Sequence, residues 1–188
     1  MFKNLLRVFG VCLLSLLCVQ CGDGNRFMIS KRKVGKLTPV TTISDLQDIF
    51  SNDSIVKNLS EGSLGNNFFQ DDDEYLIYEK GGKHLLTIVP KEQLDSTATI
   101  KSIQIFDKRY STKSGLTLDS KFEEINLNNV ITKVETSLSS ATLFIDDLNI
   151  TITLDKEDLG LKNFSTQKIN VEQIPGLAGV KSLIVWFN

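Results

Sequence analysis

Apolar residues recur along this chain in three rhythms, and each predicts a different element. The first is an almost uninterrupted apolar run from Val8 to Val19, behind a short start that carries Lys3 and Arg7. The second is helical: Ile43, Leu46, Ile49 and Phe50 share one face, and Phe122 and Ile125 share another on a shorter helix. Thr41 and Thr42 are N-caps for the first helix, with Asp45 at capping-box distance from Thr42, and Ser120 with Glu123 form the equivalent box. The third is strict alternation. Ile150, Ile152 and Leu154 oppose Thr151 and Thr153, the mark of a strand with one buried and one wet face. Asp146-Asp147 turns into it, as Gly81-Gly82 turns into a strand over His84–Val89, and Val180–Phe187 reads as a covered, central strand.

These elements come twice. The segment Leu37–Leu46 pairs with Leu116–Ile125 at an offset of 79, each preceded by a glycine, Gly35 or Gly115. His84–Leu94 pairs with Asn149–Leu159, and Ile100–Ile105 with Val180–Val185, in the same order in both halves. The expected fold is therefore α+β: two tandem copies of a small unit, 34–110 and 111–188, each a short helix packed on an antiparallel sheet. A continuous sheet and two stacked sheets both satisfy the pattern.

The first rhythm is too short to cross a bilayer core of roughly 30 Å, which needs about 20 apolar residues. Charged start and short apolar stretch together predict an export signal over residues 1–20. All three cysteines, Cys12, Cys18 and Cys21, lie here, and none follows. A mature chain beginning at Cys21 has no cysteine pair to staple, so Cys21 reads as a lipid attachment site, and residues 21–33 as the lipidated tether. The run resembles a bacterial lipoprotein signal, although Cys18 and Gln20 stand where leucine and a small residue are usual. Acyl chains at Cys21 would fix the chain to a membrane at ~0.8 kcal/mol per buried CH₂. Gly22 after Cys21 points to the outer membrane of a Gram-negative envelope; the periplasmic face is the expectation there, with surface exposure as the alternative.

Charge narrows the partners. Without the signal, 19 basic side chains face 23 acidic ones, a net charge of −4, which argues against nucleic acid. The one basic cluster, Lys31-Arg32-Lys33, reads as solvated linker, with contact to anionic headgroups as the alternative.

Val34-Gly35-Lys36-Leu37-Thr38, Ile100-Lys101-Ser102-Ile103, Gly115–Phe122, Ile174-Pro175 and Leu183–Phe187 resemble the sigma-E (RpoE)-regulated lipoprotein family, over about residues 34–187. The resemblance implies an envelope lipoprotein of no assigned activity, and it brings no functional residues with it.

Catalytic groups are sparse. His84 is the only histidine, Gly62-Ser63-Leu64-Gly65 lacks the spacing of a nucleophile elbow, and no phosphate-cradling glycine loop exists. One histidine and no free cysteine argue against zinc or copper. Asp71-Asp72-Asp73-Glu74 lacks the EF-hand spacing for calcium and reads as a solvated loop. Asp146 and Asp147, as a carboxylate pair for glycoside cleavage, would point to opposite faces and read as a turn. The leading expectation is thus a non-catalytic protein without cofactor or metal, held to the membrane by its anchor and serving protein binding or envelope maintenance. A small-ligand or lipid carrier comes next, with a pocket between sheet and helix lined by Phe68, Phe69, Phe144 and Phe164. A carboxylate-based enzyme is third.

Overall fold

The computed structural model describes residues 26–60, 72–160 and 168–188. In chain order its elements are β1 (Met28–Ser30), β2 (Lys33–Val34), α1 (Leu46–Ile49), β3 (Ser54–Asn58), β4 (Glu74–Tyr78), β5 (His84–Pro90) and β6 (Ile100–Ile105). There follow β7 (Ser111–Thr112), α2 (Phe122–Asn128), β8 (Lys133–Thr136), β9 (Ser140–Ile145), β10 (Ile150–Asp155), a 3-10 turn at Val171–Gln173, and β11 (Ser182–Trp186). The fold is α+β. Eight strands form one antiparallel sheet in the order β3-β4-β5-β6-β11-β10-β9-β8, and a small second sheet has the order β2-β1-β7.

The duplication is built into this order. Each half contributes a four-stranded meander, and the two join where β6 pairs antiparallel with β11. Adding 80 to a residue of β6 gives its counterpart in β11, and Gln104 pairs with Ile184, its own counterpart. A pseudo-two-fold axis therefore passes through that pair. The buried face runs unbroken across it. One row of cross-strand partners is Ile55, Ile77, Leu86, Ile105, Leu183, Ile152, Leu143 and Val134, one residue from each of the eight strands. The row beside it is Tyr75, Ile88, Ile103, Val185, Ile150 and Ile145. Leu46 and Phe50 from the α1 turn, and Phe122 and Ile125 from α2, belong to the same hydrophobic cluster, so the halves share one core.

The connections repeat atom by atom. Thr38 N–H donates to Thr41 Oγ1 at 3.0 Å, and Thr117 N–H to Ser120 Oγ at 3.1 Å. Asp45 accepts from Thr42 N–H at 2.8 Å, and Glu124 from Lys121 N–H at 3.0 Å. Ile43 N–H reaches the Ala98 carbonyl as Phe122 N–H reaches that of Ala178, and both alanines are buried. β2 and β7 are likewise equivalents. The extra strand β1 lies between them, antiparallel to β2 and parallel to β7, so the entering chain bridges the two halves.

Four expectations change. Residues 26–33 of the expected tether are structured, since Met28–Ser30 and Lys33–Val34 form a hairpin whose cross-strand partners Ile29 and Val34 are buried. The first helix is one turn, because Ile43 and Ser44 give their N–H groups to the carbonyls of Ala98 and Ser96 instead of starting a helix. In the second half the cap is Lys121 with Glu124, one residue later than Ser120 with Glu123. Finally, the middle block shifts by one. Leu86 pairs with Ile105, and Ile150 with Val185, the counterpart of Ile105, so Leu86 corresponds to Ile150 and His84 to Leu148 rather than Asn149. A one-residue slip exchanges the faces of a strand. The bulge between Ile77 and Tyr78, opposite the start of β5, is where the two halves depart from one another.

Candidate functional site

Two regions gather polar and aromatic side chains: a clamp on the entering chain and the outer face of the large sheet.

The clamp begins at Arg26, whose Nη2 donates to both oxygens of Asp53 at 2.9 and 2.8 Å. Phe27 follows, with the Arg109 guanidinium 4.4 Å from its ring centre and Tyr110 edge-on at 5.0 Å. Arg109 is fixed by two carboxylates. Its Nη1 and Nη2 donate to Glu79 at 3.1 and 2.8 Å, and its Nε and Nη2 donate to Asp107 at 2.9 and 2.6 Å. Lys83 adds a 3.0 Å ion pair to Asp107, whose side chain is wholly buried. Burial alone would raise the Asp107 pKa. The hydrogen bonds from the Arg109 side chain and backbone and from Lys83 outweigh it and hold the carboxyl at about 2. Desolvation raises the pKa of the buried Tyr110 hydroxyl. Gly35 closes the clamp at φ +56°, where a Cβ would stand 2.4 Å from the Arg26 carbonyl oxygen, so only glycine fits.

The outer face carries the partners of the other parity: Val56, Leu76, Thr87, Gln104, Ile184, Thr151, Phe144 and Lys133, again one from each strand. Trp186 lies over it, its indole N–H donating to Thr151 Oγ1 at 3.0 Å. Near one end His84 is stacked between Tyr78 (4.7 Å) and Phe106 (4.0 Å), and its Nε2 is 3.1 Å from Thr87 Oγ1. Desolvation between the rings keeps the His84 pKa below the ordinary imidazole value, against the backbone of Leu86 and the carboxylate of Glu74. The folded state thus favours the neutral ring. Stability should be unaffected by His84 above pH about 6.5 and should decline as pH falls below it, because only the unfolded chain takes up the proton readily. His84→Gln should flatten that part of a urea-midpoint profile; an unchanged slope between pH 7 and 5 contradicts the stacking account.

The other sequence candidates separate. Cys21, Gly62–Gly65, Phe68, Phe69, Asp71 and Phe164 lie outside the described residues. Asp72 bonds Lys101 at 2.9 Å. Asp73 is buried and accepts from Ser60 N–H and Oγ and from Leu94 N–H at 2.6 Å, latching two loops together. Glu74 accepts from Asn58. Among the described residues no group of His, Cys, Asp and Glu is placed to hold a metal ion. Asp146 and Asp147 sit in the turn before β10, where Asn149 takes a positive φ. Phe144 corrects the carrier expectation. It lies on the outer face, 5.2 Å below the Lys133 ammonium, while its neighbours Leu143 and Ile145 point into the core that the helices cover. The concavity beside α2 is an open groove of about 690 Å³ lined by Ile29, Leu127, Val130, Ile145 and Leu148, its walls supplied by the second half and by β1 of the entering chain, which no local pattern joins.

A duplicated antiparallel sheet, with one packed face and one open face, defines the class of protein by its architecture. The solved structure titled the uncharacterized protein yfeY from Escherichia coli is similar to it, with a TM-score of 0.52 over 85% of this chain and 99% of that one, at 12% identity. That likeness is one of fold. No protein-family model matches the chain, and no curated protein matches it. No helix among the described residues is long and apolar enough to cross a membrane.

Proposed function

We propose that this chain is an envelope lipoprotein, cleaved before Cys21, acylated there, and held on the periplasmic face of the outer membrane, whose folded part binds another envelope protein and carries out no catalysis. The observation that carries the binding half is the outer sheet face. It is eight strands wide and rigidly backed by a shared core, and it mixes half-buried Leu76, Ile184, Phe144 and Trp186 with threonines and glutamine. Aromatic and aliphatic side chains among neutral polar ones, with few charges at the centre, match the composition of protein-binding patches. The anchor half rests on the signal pattern and on the resemblance to the sigma-E-regulated lipoproteins.

Intact mass of wild type against Cys21→Ala, with membrane fractionation, tests the anchor: a diacylglyceryl and acyl adduct on the wild type alone is expected. A photocrosslinker in place of Ile184 or Leu76, both half-buried on that face, tests the partner in cells. One discrete adduct is expected from these positions, none from Val40, which is 80% exposed away from the sheet. Adducts equally strong from Val40, or none from the sheet, overturn the binding reading.

A carrier role has one observation in its favour, the open groove that exposes Leu127 and Val130. Lipid recovered with the wild type and absent from Leu127→Glu would favour it; ligand-free protein in both removes it.

A further inference from the structure

We propose that the β1–β2 hairpin is a docking surface for anionic phospholipid headgroups, so that the folded part lies against the bilayer that holds its anchor. The inference deepens the anchored reading of Cys21 and rests on it.

Lys31, Arg32, Lys33 and Lys36 are all exposed. Among the described residues no carboxylate is paired with Lys31, Lys33 or Lys36 (the other ion pairs take Lys83, Lys101, Lys108, Lys133 and Lys181). Arg32 is held in place by donating to the Asn188 carbonyl at 3.2 Å, and its φ of 51° turns the hairpin. A floppy basic linker would lose entropy on meeting a surface; a hairpin with Ile29 and Val34 buried beneath it presents the same charges already ordered. The acidic groups nearby are few. Asp53 is occupied by Arg26, Asp48 is exposed in the small polar pocket it shares with Lys36, and Asp147 lines the groove beside Ser30 together with Lys113.

Chain length commits the occupant. Only Gly22, Asp23, Gly24 and Asn25 separate Cys21 from the clamped Arg26. Five Cα steps span at most roughly 18 Å, and Lys31 is within about the same distance beyond. Since the clamp prevents residues 26–34 from adding slack, a lipid on Cys21 keeps this end of the domain at the headgroup layer. Each lysine or arginine near an anionic surface adds attraction that fades within a Debye length of about 8 Å.

The test uses the full lipidated chain in vesicles. With Cys21 acylated, the Ser30→Cys thiol is unique and takes a fluorophore, and nitroxide-headgroup lipid is the quencher. Quenching is expected to be several-fold stronger when phosphatidylglycerol is added to phosphatidylcholine, to fall at high salt, and to be lost in Lys31→Glu/Lys33→Glu/Lys36→Glu, which leaves the Arg32 contact intact. Equal quenching in both vesicles, with all protein floating with lipid, overturns the docking surface while the anchor stands. Protein that fails to float and carries no adduct overturns both.

Discussion

Leu183→Ala is expected to lower stability by about 3 kcal/mol and to do so in a single unfolding transition for the whole molecule. Leu183 is fully buried on β11, paired on one side with Ile105 of the first half and on the other with Ile152 of the second. Truncation removes three carbons, a methine and two methyls, from the centre of a row that crosses all eight strands, where neighbours on both sides are held by backbone pairing and cannot collapse into the space. For a chain of this size the melting midpoint should fall by roughly 10 °C. Urea unfolding followed by Trp186 fluorescence and by far-ultraviolet circular dichroism checks it. The two probes should stay coincident, with a lower midpoint and an unchanged slope. Val56→Ala, half exposed on the outer face of an edge strand, should change stability by less than about 0.5 kcal/mol. A second transition in Leu183→Ala, with the first meander surviving, would mean that β6 and β11 join two independent cores.

That cooperative junction was half legible in the sequence. Threonine and serine hydroxyls and paired carboxylates set the turns at Leu37–Leu46 and Leu116–Ile125, local chemistry that survives in both copies, so the offset of 79 could be read directly. Likewise Ile100–Ile105 and Val180–Val185 kept their pattern because both are central strands under the same core. The block between them was harder. β5 is apolar on both parities at Leu85, Leu86 and Ile88, and β10 buries Thr151, so alternation alone did not pin the register and the alignment slipped by one. Continuity of the sheet was not local information at all: it depends on the pairing of Gln104 with Ile184, 80 residues apart. Lys31-Arg32-Lys33 reads as polar linker in sequence, yet it belongs to the ordered hairpin. What orders it is distant: Ser111 donating to the Phe27 carbonyl, Gly35 to that of Met28, and Asp53 to which Arg26 turns. Phe144 does not line a pocket between sheet and helix, because alternation with buried Leu143 and Ile145 places it on the other face. Of the candidate sites, His84 was visible as a lone strand histidine, but its stacking needs Tyr78 and Phe106 from two neighbouring segments.

Asp107→Ala is expected to destabilise by about 3 kcal/mol and to loosen the entering chain more than the large sheet. The carboxylate is buried and receives the Arg109 backbone N–H, the Arg109 guanidinium and the Lys83 ammonium. Removing it leaves Arg109 with Glu79 alone at the edge of solvent, which keeps the penalty at the lower end for a broken buried pair. The cation over Phe27 then loses its fixed position, and with it the seat of the residue that leads into β1. Hydrogen exchange should therefore rise at Met28–Ser30 and Ser111–Thr112 well before it rises in β6 or β11, a contrast that a uniformly weakened core would not give. The acid limb supplies an independent check. The folded-state pKa of Asp107 is depressed to about 2, below its ordinary value near 3.8, so its contribution is complete above that value and is lost as pH falls through about 2. Asp107→Ala should remove that part of the acid unfolding profile, while Asp73 and Glu79, also held below the carboxylate norm, keep the remainder. An unchanged acid limb together with wild-type exchange at β1 would show that Phe27 holds its place by packing on Tyr110 alone. The domain would then be clamped by apolar contact, and the charges around Arg109 would serve only the surface.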